Sequence, residues 1–313
     1  MLGCPLKGRK FMNKKKRKPG LTLPAFPVKM YYFIIPALVL FIVFWIVPII
    51  QLFYYSITNF NGVNYNYDFI GFKNYVRIIQ DNTLTNSLKN TLIYAVLMVV
   101  FGNLLGLGMA LLLNMKLRGK SFFRTCSYMP ALFSAIVVGF IWSYVFMPDS
   151  GMLASILTKL GIDASNLNIL GNFNQALYGI AAVEIWKGFG TTMIIYLAGL
   201  QTVDTALLEA ARVDGCNEWK MISKIKIPLI SATITINVVL NVIAGLKAYD
   251  YAFIMTNGGP GKSTKTLMFQ IYELAFTDQK MGRSSALSVV SFFIIIGITI
   301  FMLIYMNKRE VEV

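Results

Sequence analysis

The 313-residue chain contains no histidine, so the commonest metal ligand and the commonest general base at neutral pH are both missing. Its cysteines, Cys4, Cys126 and Cys216, stand far apart and have neither metal nor redox spacing. Charge is also scarce: Asp, Glu, Lys and Arg make up 14% of the residues, against about a quarter in an ordinary soluble domain. Acids are rarer than bases, 14 against 29, and the formal net charge is +15. In a soluble protein that excess would point to nucleic acid. Here nine of the bases crowd into residues 1–30, where there is no acid at all. Metal chemistry and nucleic-acid binding are therefore set aside, and no catalytic or metal-ligating set emerges. With 56% hydrophobic residues, the composition is that of a membrane protein.

What the chain does have is long apolar runs. Residues 31–50, YYFIIPALVLFIVFWIVPII, are long enough to span a bilayer and lack a small-residue cleavage site. Five more runs follow near residues 91–113, 128–147, 177–200, 229–249 and 285–306. The expected fold is an all-α membrane protein of six transmembrane helices over residues 31–306. A basic tail (1–30) precedes it and a short tail (307–313) follows. Nineteen of the 29 bases fall in these two tails, in KLRGKSFFRT and in the loop 201–228. Positive residues favour the cytoplasm, so both termini and the 201–228 loop are expected inside, with the N-terminal tail against anionic lipid.

The 201–228 loop is charged and helical in pattern. Asp204 can cap TALLEAARV, and Gly215 sits where a left-handed residue would end that helix. Asn217 can cap a second short helix, EWKMISKI, before Pro228. Such a short helix between spans buries too little surface to stand alone and needs another protein to lie against. The plainer reading is a solvated interfacial loop.

Glu209-Ala210-Ala211, then Gly215, then Ile227-Pro228 resembles the EAA loop of permeases in binding-protein-dependent ABC importers, with Cys216 where the family often has alanine. FIGFKNYVRIIQD near residue 69 and MGRSSALSVV near residue 281 are similar to the same family, and the likeness runs from about residue 30 to 306. The resemblance implies the MetI-like permease fold and import of a sugar, as in maltose, raffinose or glycerol-phosphate permeases. It implies a multi-pass protein of the bacterial plasma membrane that is a transport subunit and not an enzyme. No cofactor is expected on this chain; ATP and Mg are expected on a partner ATPase. A second related permease and an extracellular solute-binding protein are further implied partners. In the loop, Glu209 would meet a basic group of the ATPase, Ala210 and Ala211 would allow close approach, and Asp214 and Gly215 would shape the turn.

Two spans carry polar residues. Glu184 and Lys187 are three apart in AAVEIWKGFGTT and share a helix face, either as an ion pair or lining a cavity. Thr233, Asn237, Asn241 and Gly245 recur at intervals of four, a polar stripe on an apolar helix. Its amides suit either a neighbouring helix or sugar hydroxyls. Trp186 and Phe189 could stack on a sugar face. By resemblance, the substrate path is expected at Glu184, Gly188, Asn237, Asn241 and Gly245. Gly102, Gly106 and Gly108 imply close helix packing, and Pro130 implies a kink in the third span.

GGPGKST at 258–264 nearly spells a phosphate-binding loop, but Thr256 stands where the first glycine belongs. By resemblance this stretch is instead an outer Gly-Pro turn with a short amphipathic helix facing the solute-binding protein. A channel or secondary transporter is disfavoured by the absence of an internal repeat. A permease for glycerol phosphate or peptide stays open, since Lys187 suits an anionic cargo.

Overall fold

The computed structural model describes residues 32–64, 66–115, 118–163 and 167–308. The expectations for the 1–30 tail and for residues 309–313 lie outside the described residues. Among those described, the chain is helical, with one isolated bridge between Thr58 and Phe69.

Thirteen helical segments are numbered here in chain order. α1 spans Ile35–Ser56, α2 Lys73–Gln80 and α3 Leu84–Asn114. α4 covers Lys120–Leu132, α5 Ala135–Val145 and α6 Met152–Lys159. α7 is Ala176–Gln201, α8 Thr205–Val213, α9 Glu218–Leu229 and α10 Ser231–Leu246. α11 covers Asp250–Thr256, α12 Leu267–Tyr272 and α13 Met281–Asn307. Four of them, α1, α3, α7 and α13, are long and apolar enough to cross a membrane on their own. The pairs α4–α5 and α9–α10 pass the same test together but bend by 98° and 73°, so the described residues hold four to six candidate spans.

The third apolar run shows why it is not one straight helix. Pro130 is buried within α4, yet the chain breaks further on, at Phe133 and Ser134, which are both extended. Ser134 then caps α5 by accepting from the Val137 N–H at 3.3 Å. The expected kink at the proline is thus a break that leads into a capped new helix.

α7 is the central element. It packs against α3, α4, α10 and α11, while α1 lies at the edge against α13. Glycines set the close crossings. A Cβ on Gly106 would fall 2.9 Å from the Thr192 Cβ, so α3 and α7 touch there. One on Gly102 would meet the Asn241 Oδ1 at 3.2 Å, whereas one on Gly108 would meet nothing within 4 Å. One layer of the core gathers Tyr94, Met98, Ile180, Val183, Tyr251 and Phe269. Another, nearer α8, gathers Ala110, Leu113, Met193, Tyr196 and Ile230.

Residues 258–264 do not follow a strand; α11 precedes them, which removes the scaffold of a phosphate-binding loop. The turn is tied to α3 by Asn90, whose Nδ2 donates to the carbonyls of Lys262 and Lys265 at 2.9 and 3.0 Å. The short helix after it, α12, is largely buried rather than presented outward, with Leu267 and Phe269 in the core. Thr266 anchors it by donating to the Ala248 carbonyl at 2.6 Å.

Candidate functional site

A polar cleft of about 250 Å³ opens between α3, α7, α10 and the start of α11. Glu184, Lys187, Gly188, Thr191 and Thr192 line it from α7, Asn237 and Asn241 from α10, and Asp250 and Tyr251 from α11. Four of the five path residues expected from the sequence therefore meet in one place. Gly245 does not. Its added Cβ would clash with Ala95, so this glycine lets α10 cross α3 and stays out of the cleft.

Glu184 and Lys187 share the cleft but are not among the ion pairs within 4 Å. Instead, Tyr94 on α3 donates its hydroxyl to Glu184 Oε2 at 2.5 Å. The amides of the stripe are partly committed to α7. Asn237 Nδ2 donates to the Thr192 carbonyl at 3.4 Å, and Asn241 Nδ2 donates to Thr192 Oγ1 at 3.3 Å and to the Asn237 carbonyl at 3.0 Å. The stripe thus ties two helices together at the cleft wall, which is the plainer of the two roles expected for it. The buried Tyr251 hydroxyl has no hydrogen-bond partner among the described residues. Along α3, the stretch Met98–Gly102 widens to a π-turn, and Met98 reaches the cleft.

Trp186 and Phe189 lie elsewhere. With Leu104, Met109 and Tyr178 they line an apolar groove of about 760 Å³ between α3 and α7. Trp186 meets Trp142 edge to face at 5.3 Å. The expected stacking platform is therefore on a different face of α7 from the polar cleft.

The 201–228 loop forms the helix pair that its residues predict. Asp204 accepts from the Ala206 N–H at 2.9 Å and Asn217 from the Lys220 N–H at 2.9 Å. Gly215 has φ of +77°. The Cys216 N–H donates to the Ala211 carbonyl and the Gly215 N–H to the Arg212 carbonyl, both at 3.0 Å. That pair of bonds is a Schellman motif, which needs a residue tolerant of positive φ at Gly215. Arg212 pairs with Glu218 at 3.1 Å across the turn. Glu209, Ala210, Asp214 and Gly215 are exposed, whereas Ala211 is buried against its own chain. Of the two alanines, only Ala210 is free for an approaching partner. Val213 and Trp219, 89% and 75% exposed, add apolar surface that the sequence reading had not singled out.

Residues 102–310 match the family described as "Binding-protein-dependent transport system inner membrane component". The chain belongs to this family. A relative named a probable starch degradation products transport system permease, from Thermoanaerobacterium thermosulfurigenes, is 32% identical, covering 90% of this chain and 95% of its own. A multiple sugar-binding transport system permease of Streptococcus mutans is 33% identical, covering 88% and 94%. An sn-glycerol-3-phosphate transport system permease of Agrobacterium fabrum is 32% identical, covering 91% and 97%. Among solved structures, a chain of a bacterial ABC transporter involved in the import of alginate superposes with a TM-score of 0.79. It is 23% identical and covers 90% of this chain and 95% of its own, a likeness of fold. This family member is a multi-pass membrane protein of the sugar-type ABC importer permeases, a transport subunit and not an enzyme.

Proposed function

We propose that this permease carries a neutral oligosaccharide across the bacterial plasma membrane, with six spans, both termini inside, and the α8–α9 pair as the coupling element. The observation that carries the cargo reading is the lining of the polar cleft. The hydroxyls of Thr191 and Tyr251, the amide oxygens of Asn237 and Asn241 and the second N–H of Asn237, left over from the bonds to Thr192, offer donors and acceptors to sugar hydroxyls. Two carboxyl side chains, Glu184 and Asp250, face one base, Lys187. That balance opposes an anionic cargo in a cleft where screening by water is weak. Glycerol phosphate remains the second reading because of the Agrobacterium fabrum relative.

For coupling, the support is a rigid, capped helix pair whose exposed surface combines Glu209 and Ala210 with the apolar Val213 and Trp219. Small capped helices gain little from isolation and much from a docking groove. A separate ATPase holding ATP and Mg would take this surface and rock the spans about the cleft. A second permease and a solute-binding protein complete the assembly; a solved relative of the same fold is an alginate transporter in complex with its periplasmic protein.

The test uses the chain reconstituted with its ATPase and binding protein. Glu209→Lys is expected to release the ATPase or abolish uptake while the chain still inserts. Unchanged uptake would reject the coupling role. Glu184→Gln is expected to weaken discrimination against a phosphorylated sugar in a competition assay; equal competition before and after would count against the cleft as the selector.

A further inference from the structure

α2 presents three faces in eight residues. Asn74 and Ile78 are buried against the bundle. Phe72, Val76 and Ile79, with Phe69 just before them, point outward and are 75%, 50%, 67% and 72% exposed. At a helical advance of about 100° per residue, Lys73, Arg77 and Gln80 form a separate row beside that apolar stripe. An exposed apolar stripe flanked by bases is the pattern of a helix lying in a membrane interface.

The depth of α2 supports the same conclusion. Asn74 Nδ2 donates to the carbonyls of Ser56 and Thr58 at 3.0 and 2.7 Å, and the Tyr75 hydroxyl donates to Ser56 Oγ at 2.8 Å. Ser56 is the last residue of α1, a 22-residue helix that rises about 33 Å, close to the thickness of the hydrocarbon core. α2 is thus pinned where α1 leaves the hydrocarbon, level with the headgroups. The apolar surface continues onto α1, where Ile49, Ile50 and Phe53 are also exposed. The charges match a phosphate. Lys73 and Arg77 stand one turn apart, and neither is in an ion pair among the described residues. Of the two nearest acids along the chain, Asp81 is engaged by Arg283 and Asp68 accepts from Asn59 Nδ2 at 3.3 Å. With Phe72, Val76 and Gln80 the two bases line a shallow groove of about 420 Å³.

We propose that this groove is a phospholipid site in the leaflet where α1 ends. The headgroup phosphate sits between Lys73 Nζ and the Arg77 guanidinium, and an acyl chain runs along Phe72 and Val76. Two unpaired bases favour an anionic lipid such as phosphatidylglycerol over a zwitterionic one. The reading is independent of the cargo. A docking face for the solute-binding protein would also use bases, but four exposed apolar side chains at headgroup depth favour lipid.

The assembled transporter, in nanodiscs of phosphatidylcholine with phosphatidylglycerol, provides the test. Phosphatidylglycerol retained per chain after purification should fall about fivefold for each base removed in Lys73→Gln and Arg77→Gln. Tryptophan introduced by Ile79→Trp should be quenched by brominated phosphatidylglycerol beyond the quenching of the unmodified chain. Unchanged retention would overturn the proposal, as would an unquenched Ile79→Trp, which would mean that protein covers the face. Loss of binding-protein-stimulated ATP hydrolysis in Lys73→Gln/Arg77→Gln with lipid retention unchanged would also overturn it, and would assign the face to the receptor.

Discussion

At the scale of single residues, the polar cleft depends on partners that are distant in sequence. Glu184 was legible as a polar residue in a span, and its spacing to Lys187 suggested a pair. The group that actually binds its carboxyl is Tyr94, ninety residues earlier in the chain, and no local pattern announces such a partner. Tyr94→Phe deletes that donor, and hydrogen bonds to charged groups contribute about 1.5–3 kcal/mol. Thermal unfolding in detergent should show a loss of that order, whereas Glu184→Gln, which keeps an acceptor, should lose less. Gly215 is the opposite case, because its role is local. Nothing lies within 4 Å of the place its Cβ would occupy, so a substitution there meets only backbone strain. Gly215→Val is expected to cost about 1–2 kcal/mol and Gly215→Asn clearly less, since asparagine tolerates the left-handed region. Unfolding curves of the two variants would separate that account from one based on crowding.

Among the elements, straight apolar runs were easy to read and bends were not. The runs near 177–200 and 285–306 became α7 and α13 almost as written, because length and hydropathy alone decide a span. The run near 91–113 reaches back to Leu84, since the polar turn TNSLKN is helical and is held by tertiary contacts that propensity does not weigh. The break after Pro130 was misplaced because proline is the louder signal. Ser134, an ordinary residue in sequence, starts the next helix through its cap. Gly245 was assigned to the cleft by resemblance, and its place on the stripe could not correct that, because a period of four does not say which neighbour each residue meets. Two glycines test that distinction. Gly245→Val should destabilise the bundle by about 1–3 kcal/mol through overpacking against Ala95, measured by unfolding in detergent. Gly188→Ala has open space around it inside a helix and should raise stability by about 0.4–1 kcal/mol while altering the uptake KM.

For the whole molecule, the arrangement is asymmetric between its two ends. One end carries α8 and α9, capped, charged and short; the other carries α2, the turn 258–264 and the beginning of α13. Reading the bent pairs α4–α5 and α9–α10 as one span each puts an odd number of crossings between α2 and α8, hence opposite sides of the membrane. The bias of lysine and arginine then predicts the proposed orientation, with the α8 end inside, because translocating basic loops is costly. Single cysteines placed on a chain whose own three cysteines are replaced make this measurable. Val213→Cys sits at one of the most exposed positions of the α8 end, and Lys262→Cys lies in the exposed turn of the other. A membrane-impermeant maleimide applied to intact cells should label Lys262→Cys and leave Val213→Cys untouched until the cells are opened. Adding the ATPase to opened membranes should then slow the labelling of Val213→Cys, because the proposed coupling role puts the partner over that face. The reverse labelling order would invert the molecule and separate α8 from any nucleotide engine inside the cell.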